Sequence, residues 1–473
     1  MELYRPYLNG KFSEHGRRTA IRRPFDQQPW AEVLFGDSEM LAEAIGYAAA
    51  ARDVARDLPS HAIARILRSV AGRLAEEAEA FARVLAQEAG KPLRSARAEV
   101  QRAVHTFEIG AEESLRIGGE TIAMDQRPHG DHRFGQIQPF PLGVVAAITP
   151  FNFPLNLVAH KIAPALASRN CLVLKPASQT PVSALKLAQL FDDEGLSAGL
   201  LQVIPATGRD AELLATDDRV AMITFTGSAA IGWRLKQLAY RKKVALELGG
   251  NAAVIVEPEV DIHAVARSIA NAAFLYAGQS CISVQRVWVH DSIYDAMRQA
   301  LIDYARAYLL GDPLDEQTDI GPLIHSAEGD RIRGWIDEAV RDGARIVCGG
   351  QSDGPLFQPT ILENTTAVMR VNCQEIFGPV LTLTPYTDFG AALAAVNASR
   401  YGLQAGVYTR DVSKIRLAYT RLDVGGVIIN DVPTYRIDHM PYGGVKESGC
   451  GREGIRYAMA EMSEPKLLVI NFQ

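Results

Sequence analysis

From about Met40 to Arg116, apolar residues recur at spacings of three and four with Arg and Glu between them, the period of helices with one buried face. Ala62–Ala89 is the most regular part of this stretch. From Gly143 the period changes. Short β-rich runs (Val144–Ile148, Cys171–Leu174, Leu201–Ile204, Ala221–Phe225) alternate with helical stretches such as Val182–Phe191 and Ala230–Tyr240. That rhythm predicts a parallel sheet covered by helices. After Glu247 it restarts, with strands expected at Ala252–Val256, Val284–Val289, Val380–Thr384, Gly406–Thr409 and Gly426–Ile429, so a second α/β domain is expected. His132–Gln138 and Leu467–Phe472 read as extended but belong to neither series. They could pair with each other, or with another subunit through their open edges.

A length of 473 residues allows two or three domains. With 48% hydrophobic and 22% charged residues, disordered and fibrous classes are excluded. A net charge of −6 leaves no chain-wide basic field for nucleic acid or an anionic membrane. The five cysteines are odd in number and widely spaced, which suits a reducing, cytoplasmic setting and neither a disulfide framework nor a metal site. Met1–Gly10 carries no secretory pattern, and the longest apolar stretch, Gly143–Ala159, is interrupted by Pro150 and Pro154. No membrane span is expected.

Several segments carry candidate chemistry. In Gly278-Gln-Ser280-Cys281 a cysteine sits among small and polar residues after a helical stretch; it is either a reactive thiol or a buried structural one. Glu247, ending a strand-like run before Gly249-Gly250, would supply a base if it met that thiol in one cleft. Thr149-Pro150-Phe151-Asn152-Phe-Pro154 follows a predicted strand. Its amide can face a developing oxyanion, or simply cap a Pro-stiffened turn. Phe225-Thr-Gly227-Ser228 opens a helix after a strand, a cradle for phosphate because free N–H groups and the helix dipole favour anions. Lys175-Pro-Ala-Ser178 stands at another strand end, where ligands bind in open α/β sheets.

In this order, Pro-Phe-Asn-Phe-Pro, Lys-Pro-Ala-Ser-Gln-Thr-Pro, Phe-Thr-Gly-Ser, Glu-Leu-Gly-Gly, Gly-Gln-Ser-Cys, Glu375-Ile-Phe377-Gly-Pro379 and Pro441-Tyr-Gly-Gly-Val-Lys-Glu-Ser-Gly449 resemble the aldehyde dehydrogenase superfamily along essentially the whole chain. The resemblance implies that fold: a Rossmann-like cofactor domain (1–117 and 140–246), an α/β catalytic domain (247–453), and an oligomerisation element (118–139 and 454–473). It implies a homodimer or homotetramer. By similarity Cys281 attacks the aldehyde carbon, Asn152 and the Cys281 N–H hold the oxyanion, and Glu247 activates the water that hydrolyses the thioester. The matching cofactor positions are Thr149, Pro150, Phe151, Lys175, Ser178, Gly208, Phe225, Gly227, Ser228, Leu248, Glu375 and Phe377, with Glu375 on the nicotinamide ribose. Glu464 falls where a family carboxylate can assist proton release.

One departure concerns the coenzyme. Many NAD-specific relatives carry Glu at the Ser178 position. Ser removes a charge that would repel a 2′-phosphate, beside the cation Lys175, so NADP is expected to be accepted along with NAD. The run to His160 and the C-terminal Arg-Glu-Gly look like the lactaldehyde and glyceraldehyde branch, and like relatives acting on phosphonoacetaldehyde or sulfolactaldehyde. Those substrates are short with a polar or anionic head. Arg436, with His160, Ser280 and Arg102, is the candidate set for binding it, since a guanidinium suits a carboxylate, phosphonate or sulfonate; the alternative for each is an ordinary surface or interdomain ion-pair residue. A succinate-semialdehyde enzyme and a catalytically silent protein on the same fold are the alternatives. A CoA-acylating enzyme would not need Glu247.

Overall fold

Five consecutive buried residues, Val144–Ile148, form the strand around which the first sheet is built. Met222–Thr226 and then Lys243–Glu247 flank it on one side, Cys171–Lys175 and Leu201–Val203 on the other, all five parallel. Helices seal both faces, which is why these strands read as unbroken apolar runs. The edges are antiparallel: a small hairpin of Tyr7–Leu8 and Lys11–Phe12 lies beyond Leu201–Val203, and Gly449–Cys450 lies beside Lys243–Glu247. The register aligns Ile148 with both Lys175 and Phe225, and Thr226 with Glu247. The chemistry-bearing segments therefore emerge together at the carboxyl ends of the strands. The computed structural model describes all 473 residues.

The helical stretch before this sheet divides into Ser38–Ala50, Arg52–Asp57, Ser60–Glu76, Ala78–Ala89 and Leu93–Ser114. Asp37 caps the first, its side chain accepting from Met40 N, and Met40, Leu41, Ala44, Ile45 and Ala48 form its buried stripe. The regular run Ala62–Ala89 is not one helix, because Glu77 leaves helical geometry at φ −93° and ψ 15°. Strands also precede these helices: Glu2–Tyr4, Pro29–Phe35 and Arg17–Arg22 form a separate small sheet.

The second sheet runs Arg345–Cys348, Thr360–Glu363, Val380–Tyr386, Val284–His290, Ala252–Val256, Gln404–Tyr408, Gly426–Ile429, parallel except at its first pair. It has its own core, separate from that of the first sheet. The two extended segments outside both series pair with each other, Ser463–Asn471 antiparallel to Arg133–Pro141, with Glu120–Ile122 beyond. Ser463–Asn471 is an edge strand, exposed from Glu464 onward. The helix just before it, Ile455–Glu461, instead sends Ile455 and Met459 into the core of the first sheet. No helix is long and apolar enough to cross a membrane.

Candidate active site

A cleft of about 800 Å³ opens where the carboxyl ends of the first sheet meet elements of the second. Cys281, Glu247 and Asn152 all line it, as do Ser280, Arg102 and Arg436. Cys281 is presented by a distorted turn. The helix Ile262–Phe274 ends, and Tyr276 and Ala277 take left-handed backbone (φ 54° and 52°). The next residue, Gly278, approaches the Gly378 carbonyl so closely that a Cβ would sit 2.2 Å from it. Non-glycine left-handed residues cost about 1–3 kcal/mol each and are held only by firm surroundings. Here Tyr276 is anchored by its hydroxyl, which donates to the Ala89 carbonyl at 3.2 Å.

The Cys281 sulfur packs beside Ile282, Leu403 and Tyr442, with the Tyr442 hydroxyl 2.9 Å away. Burial pushes the thiol up to about 12, and the Glu375 and Glu247 carboxyls add to this; Tyr442 and Arg436 work in the opposite direction. Asn152 donates one amide hydrogen to the Gln279 carbonyl at 3.1 Å. An amide nitrogen has two hydrogens, so the second remains for a bound oxyanion.

Glu247 ends the strand Lys243–Glu247 and is buried with both carboxyl oxygens unpartnered. Close approach there depends on glycine, since a Cβ on Gly443 would lie 2.7 Å from Glu247 Oε1. Burial, and then the Glu453 charge, push the Glu247 carboxyl well above the ordinary glutamate value, against the attraction of Lys161, Arg436 and Arg452. Glu453 behaves oppositely. Burial would raise it, but Lys161 at 2.7 Å and Arg436 at 2.9 Å hold it below the usual carboxylate range. The negative charge of the pair therefore rests on Glu453, and Glu247 holds its proton more tightly.

Arg436 is buried, stacks its guanidinium 3.8 Å from the Tyr442 ring centroid, and leaves Nε without a partner. Arg102 grips Asp438 with two nitrogens at 2.7 and 3.3 Å. His160 departs from expectation. It is 1% exposed, does not line the cleft, and has Nε2 2.8 Å from Asp438 Oδ1. The helix Asn156–Ala167 places it against Asp438 and away from the cleft lining. Tyr442, Glu453, Lys161 and Asp438 were not singled out from the sequence. Tyr442 and Glu453 lie inside recognised motifs, but only their contacts reveal what they do.

The residues matched to the cofactor fit a dinucleotide. Lys175 is 6% exposed and its ammonium has no hydrogen-bond partner among the side chains around it; burial pushes it down to about 8. Ser228 precedes the helix Ala229–Leu238 without capping it, which leaves that N-terminus free for an anion. Gly227 approaches the Phe225 ring, and Leu248 fills the space that a Cβ on Gly232 would take. Glu375 accepts from Gly250 N at 3.0 Å and burial pushes it up to about 7. Phe377, at φ 52°, meets Phe151 edge-on at 5.9 Å. Pro150, Phe151, Gly227, Ser228, Leu248, Glu375 and Phe377 line the cleft itself. Thr149, Lys175, Ser178, Gly208 and Phe225 sit outside that lining, at or just past the neighbouring strand ends; Ser178 Oγ donates to the Ala206 carbonyl at 3.1 Å.

A thiol, an amide donor and an unpaired carboxyl around one cleft, beside a dinucleotide cradle, are the parts of an enzyme that oxidises a carbonyl through a covalent intermediate. The chain belongs to the aldehyde dehydrogenase family, whose profile matches residues 12–468; it is an oxidoreductase acting on aldehydes. It is 43% identical over 473 residues to the 3-sulfolactaldehyde dehydrogenase of Priestia aryabhattai, covering 100% of this chain and 98% of that one. Among solved structures, aldehyde dehydrogenase 21 of Physcomitrella patens, in complex with succinate, superposes with a TM-score of 0.98 at 38% identity, covering 99% and 98% of the two chains. The NADP complex of a glyceraldehyde-3-phosphate dehydrogenase from Methanocaldococcus jannaschii gives 0.93 at 35% identity, covering 97% and 100%.

Proposed function

We propose that this enzyme oxidises a short aldehyde with an anionic head, of the sulfolactaldehyde kind, to its carboxylate. The coenzyme is NADP or NAD. The observation that carries the substrate reading is Arg436: a buried guanidinium on the cleft wall with Nε unpartnered. A buried N–H without an acceptor is costly, and an anionic head would satisfy it. The similarity to the sulfolactaldehyde enzyme points the same way.

The chemistry follows from the groups present. The Cys281 thiolate adds to the aldehyde carbon, and the resulting oxyanion takes hydrogen bonds from the free Asn152 amide hydrogen and the Cys281 N–H. Lys175, Ser228, Glu375 and Phe377 would hold the coenzyme, which would supply a hydride acceptor when bound. Glu247, unpaired and with a raised proton affinity, takes a proton from water as that water attacks the Cys281 thioester. The carbon–sulfur bond breaks, and carboxylate and free thiol are released. The exposed strand Ser463–Asn471, with Leu467, Leu468 and Val469 facing solvent, would join a second subunit.

A kcat/KM panel of sulfolactaldehyde, lactaldehyde, glycolaldehyde, phosphonoacetaldehyde and succinate semialdehyde with each coenzyme tests this. Sulfolactaldehyde, the anionic three-carbon aldehyde, should lead, ahead of neutral lactaldehyde. A neutral aldehyde turned over as efficiently as its anionic analogue would sink it. Succinate semialdehyde is the second reading, favoured by the similarity to the succinate complex; its dominance over every three-carbon substrate would establish it.

A further inference from the structure

The hydroxyl of Tyr442 has one hydrogen-bond partner, the sulfur of Cys281 at 2.9 Å. Tyr442 is 2% exposed, and a buried tyrosine hydroxyl ordinarily finds an oxygen or nitrogen. A thiol is a weak partner, whereas a thiolate is a strong one. The arrangement suits the ionised sulfur, not the resting one.

Tyr442 is also held in place with unusual firmness. Its backbone N–H donates to the Glu453 carbonyl at 3.0 Å, and the Glu453 N–H donates back at 2.7 Å. Ile282 and Leu403 pack with it around Cys281. On the ring face lies the Arg436 guanidinium, 3.8 Å from the centroid. A cation there withdraws electron density from the phenol and makes its O–H a better donor.

We propose that Tyr442 is a catalytic residue of the acylation half-reaction, donating its hydroxyl hydrogen to the Cys281 thiolate, with Arg436 strengthening that donation through the ring. On ionisation the Cys281 proton leaves for water while Tyr442 keeps its own. No electrons change hands until sulfur adds to the carbonyl carbon. Because Arg436 is also the group offered to an anionic head, activation of the nucleophile is coupled to what occupies the cleft. Around the sulfur, the Glu247 and Glu375 carboxyls oppose ionisation, while Tyr442 and Arg436 favour it. Glu453, which pairs with Arg436, limits how much of that cation's charge is felt. This inference rests on Cys281 being the nucleophile.

The test is the rate of Cys281 alkylation by iodoacetamide, followed on the Cys281 peptide by mass spectrometry between about pH 7 and pH 10. Tyr442→Phe keeps the ring and the stacked cation and loses only the hydroxyl. It should slow alkylation about tenfold at a given pH, the loss of one charge-assisted hydrogen bond. Arg436→Gln should also slow it, but less in the Tyr442→Phe background than alone, because its influence passes through the hydroxyl. A wild-type alkylation profile in Tyr442→Phe, or losses that simply add in the double variant, overturns the proposal. If Cys281→Ser retains aldehyde oxidation, the nucleophile assignment has failed and the catalytic role of Tyr442 falls with it, whereas the alkylation rate of Tyr442→Phe reports the hydrogen bond to sulfur independently of that outcome.

Discussion

Glu247 and Glu453 line the same cleft, yet Glu453 is paired with Lys161 and Arg436 while neither oxygen of Glu247 has a partner. The charge stays on Glu453, and its repulsion adds to burial in keeping a proton on Glu247. Hydrolysis of the thioester needs Glu247 without that proton. Its rate should therefore rise with pH, with a midpoint well above that of an ordinary glutamate. Glu247→Gln should still release one equivalent of reduced coenzyme in a burst, then turn over about 10²–10⁴-fold more slowly. Rapid-quench measurement of the burst and the steady state separates the two. Loss of the burst itself would remove Glu247 from the hydrolytic step.

Arg436 makes a second prediction. Its Nε is unpaired and its Nη2 donates to Glu453, so Arg436→Ala removes both an anion contact and a neighbour of Glu453. The second effect falls on all substrates alike; the first falls only on anionic ones. Comparing sulfolactaldehyde with a neutral aldehyde of equal length isolates it. The ratio of their kcat/KM values should fall about 10–100-fold, the loss of one charge-assisted contact. An unchanged ratio would assign Arg436 to the ion pair alone.

The coenzyme preference can be changed at Ser178. Its hydroxyl is occupied with the Ala206 carbonyl, and no acidic side chain stands between it and the unpaired Lys175 ammonium. Ser178→Glu should lower kcat/KM with NADP by more than tenfold while leaving NAD nearly unaffected, through repulsion of the 2′-phosphate. In the unchanged protein, a preference for NAD beyond about a hundredfold would show that Ser178 does not admit the phosphate.

Much of this was legible from the chain because buried parallel strands and their motifs have strong local signatures. Val144–Ile148 and Ala252–Val256 are continuous apolar runs, and Cys281, Glu247 and Asn152 stand in recognisable sequence surroundings. What escaped had no local signature. Tyr7–Leu8 and Lys11–Phe12 are too short to show a period. The helix break at Glu77 lies within an unbroken pattern of apolar spacing. Ile455–Glu461 joins the first core from the far end of the chain. The partners of Arg436, Arg102 and His160 are 17, 336 and 278 residues away in sequence, so charge type was readable while charge pairing was not.

That long-range pairing leads to the last prediction. Asp438 ties its loop to two helices, accepting from Arg102 at 2.7 Å, from Asn156 at 3.2 Å and meeting His160 at 2.8 Å. Burial would lift its carboxyl, but the bonds from His160 and Arg102 hold it well below the usual carboxylate range. A group whose proton affinity is depressed on folding contributes stability above its unfolded value, about 3.9, and loses it as pH falls through the folded one. Asp438→Asn should therefore cost about 3 kcal/mol near neutral pH, since it leaves Arg102 without its counter-charge. The difference should narrow as pH falls from about 5 to about 3, where the native carboxylate begins to lose its own advantage. Thermal unfolding of both proteins across that range reads it directly. A penalty that stays constant with pH would mean that Asp438 acts by shape and hydrogen-bond geometry and not by charge. His160→Gln, which preserves a donor toward Asp438, should disturb stability far less than Asp438→Asn and leave the relative kcat/KM of anionic and neutral aldehydes unchanged. A substrate-dependent loss in His160→Gln would return that residue to the cleft.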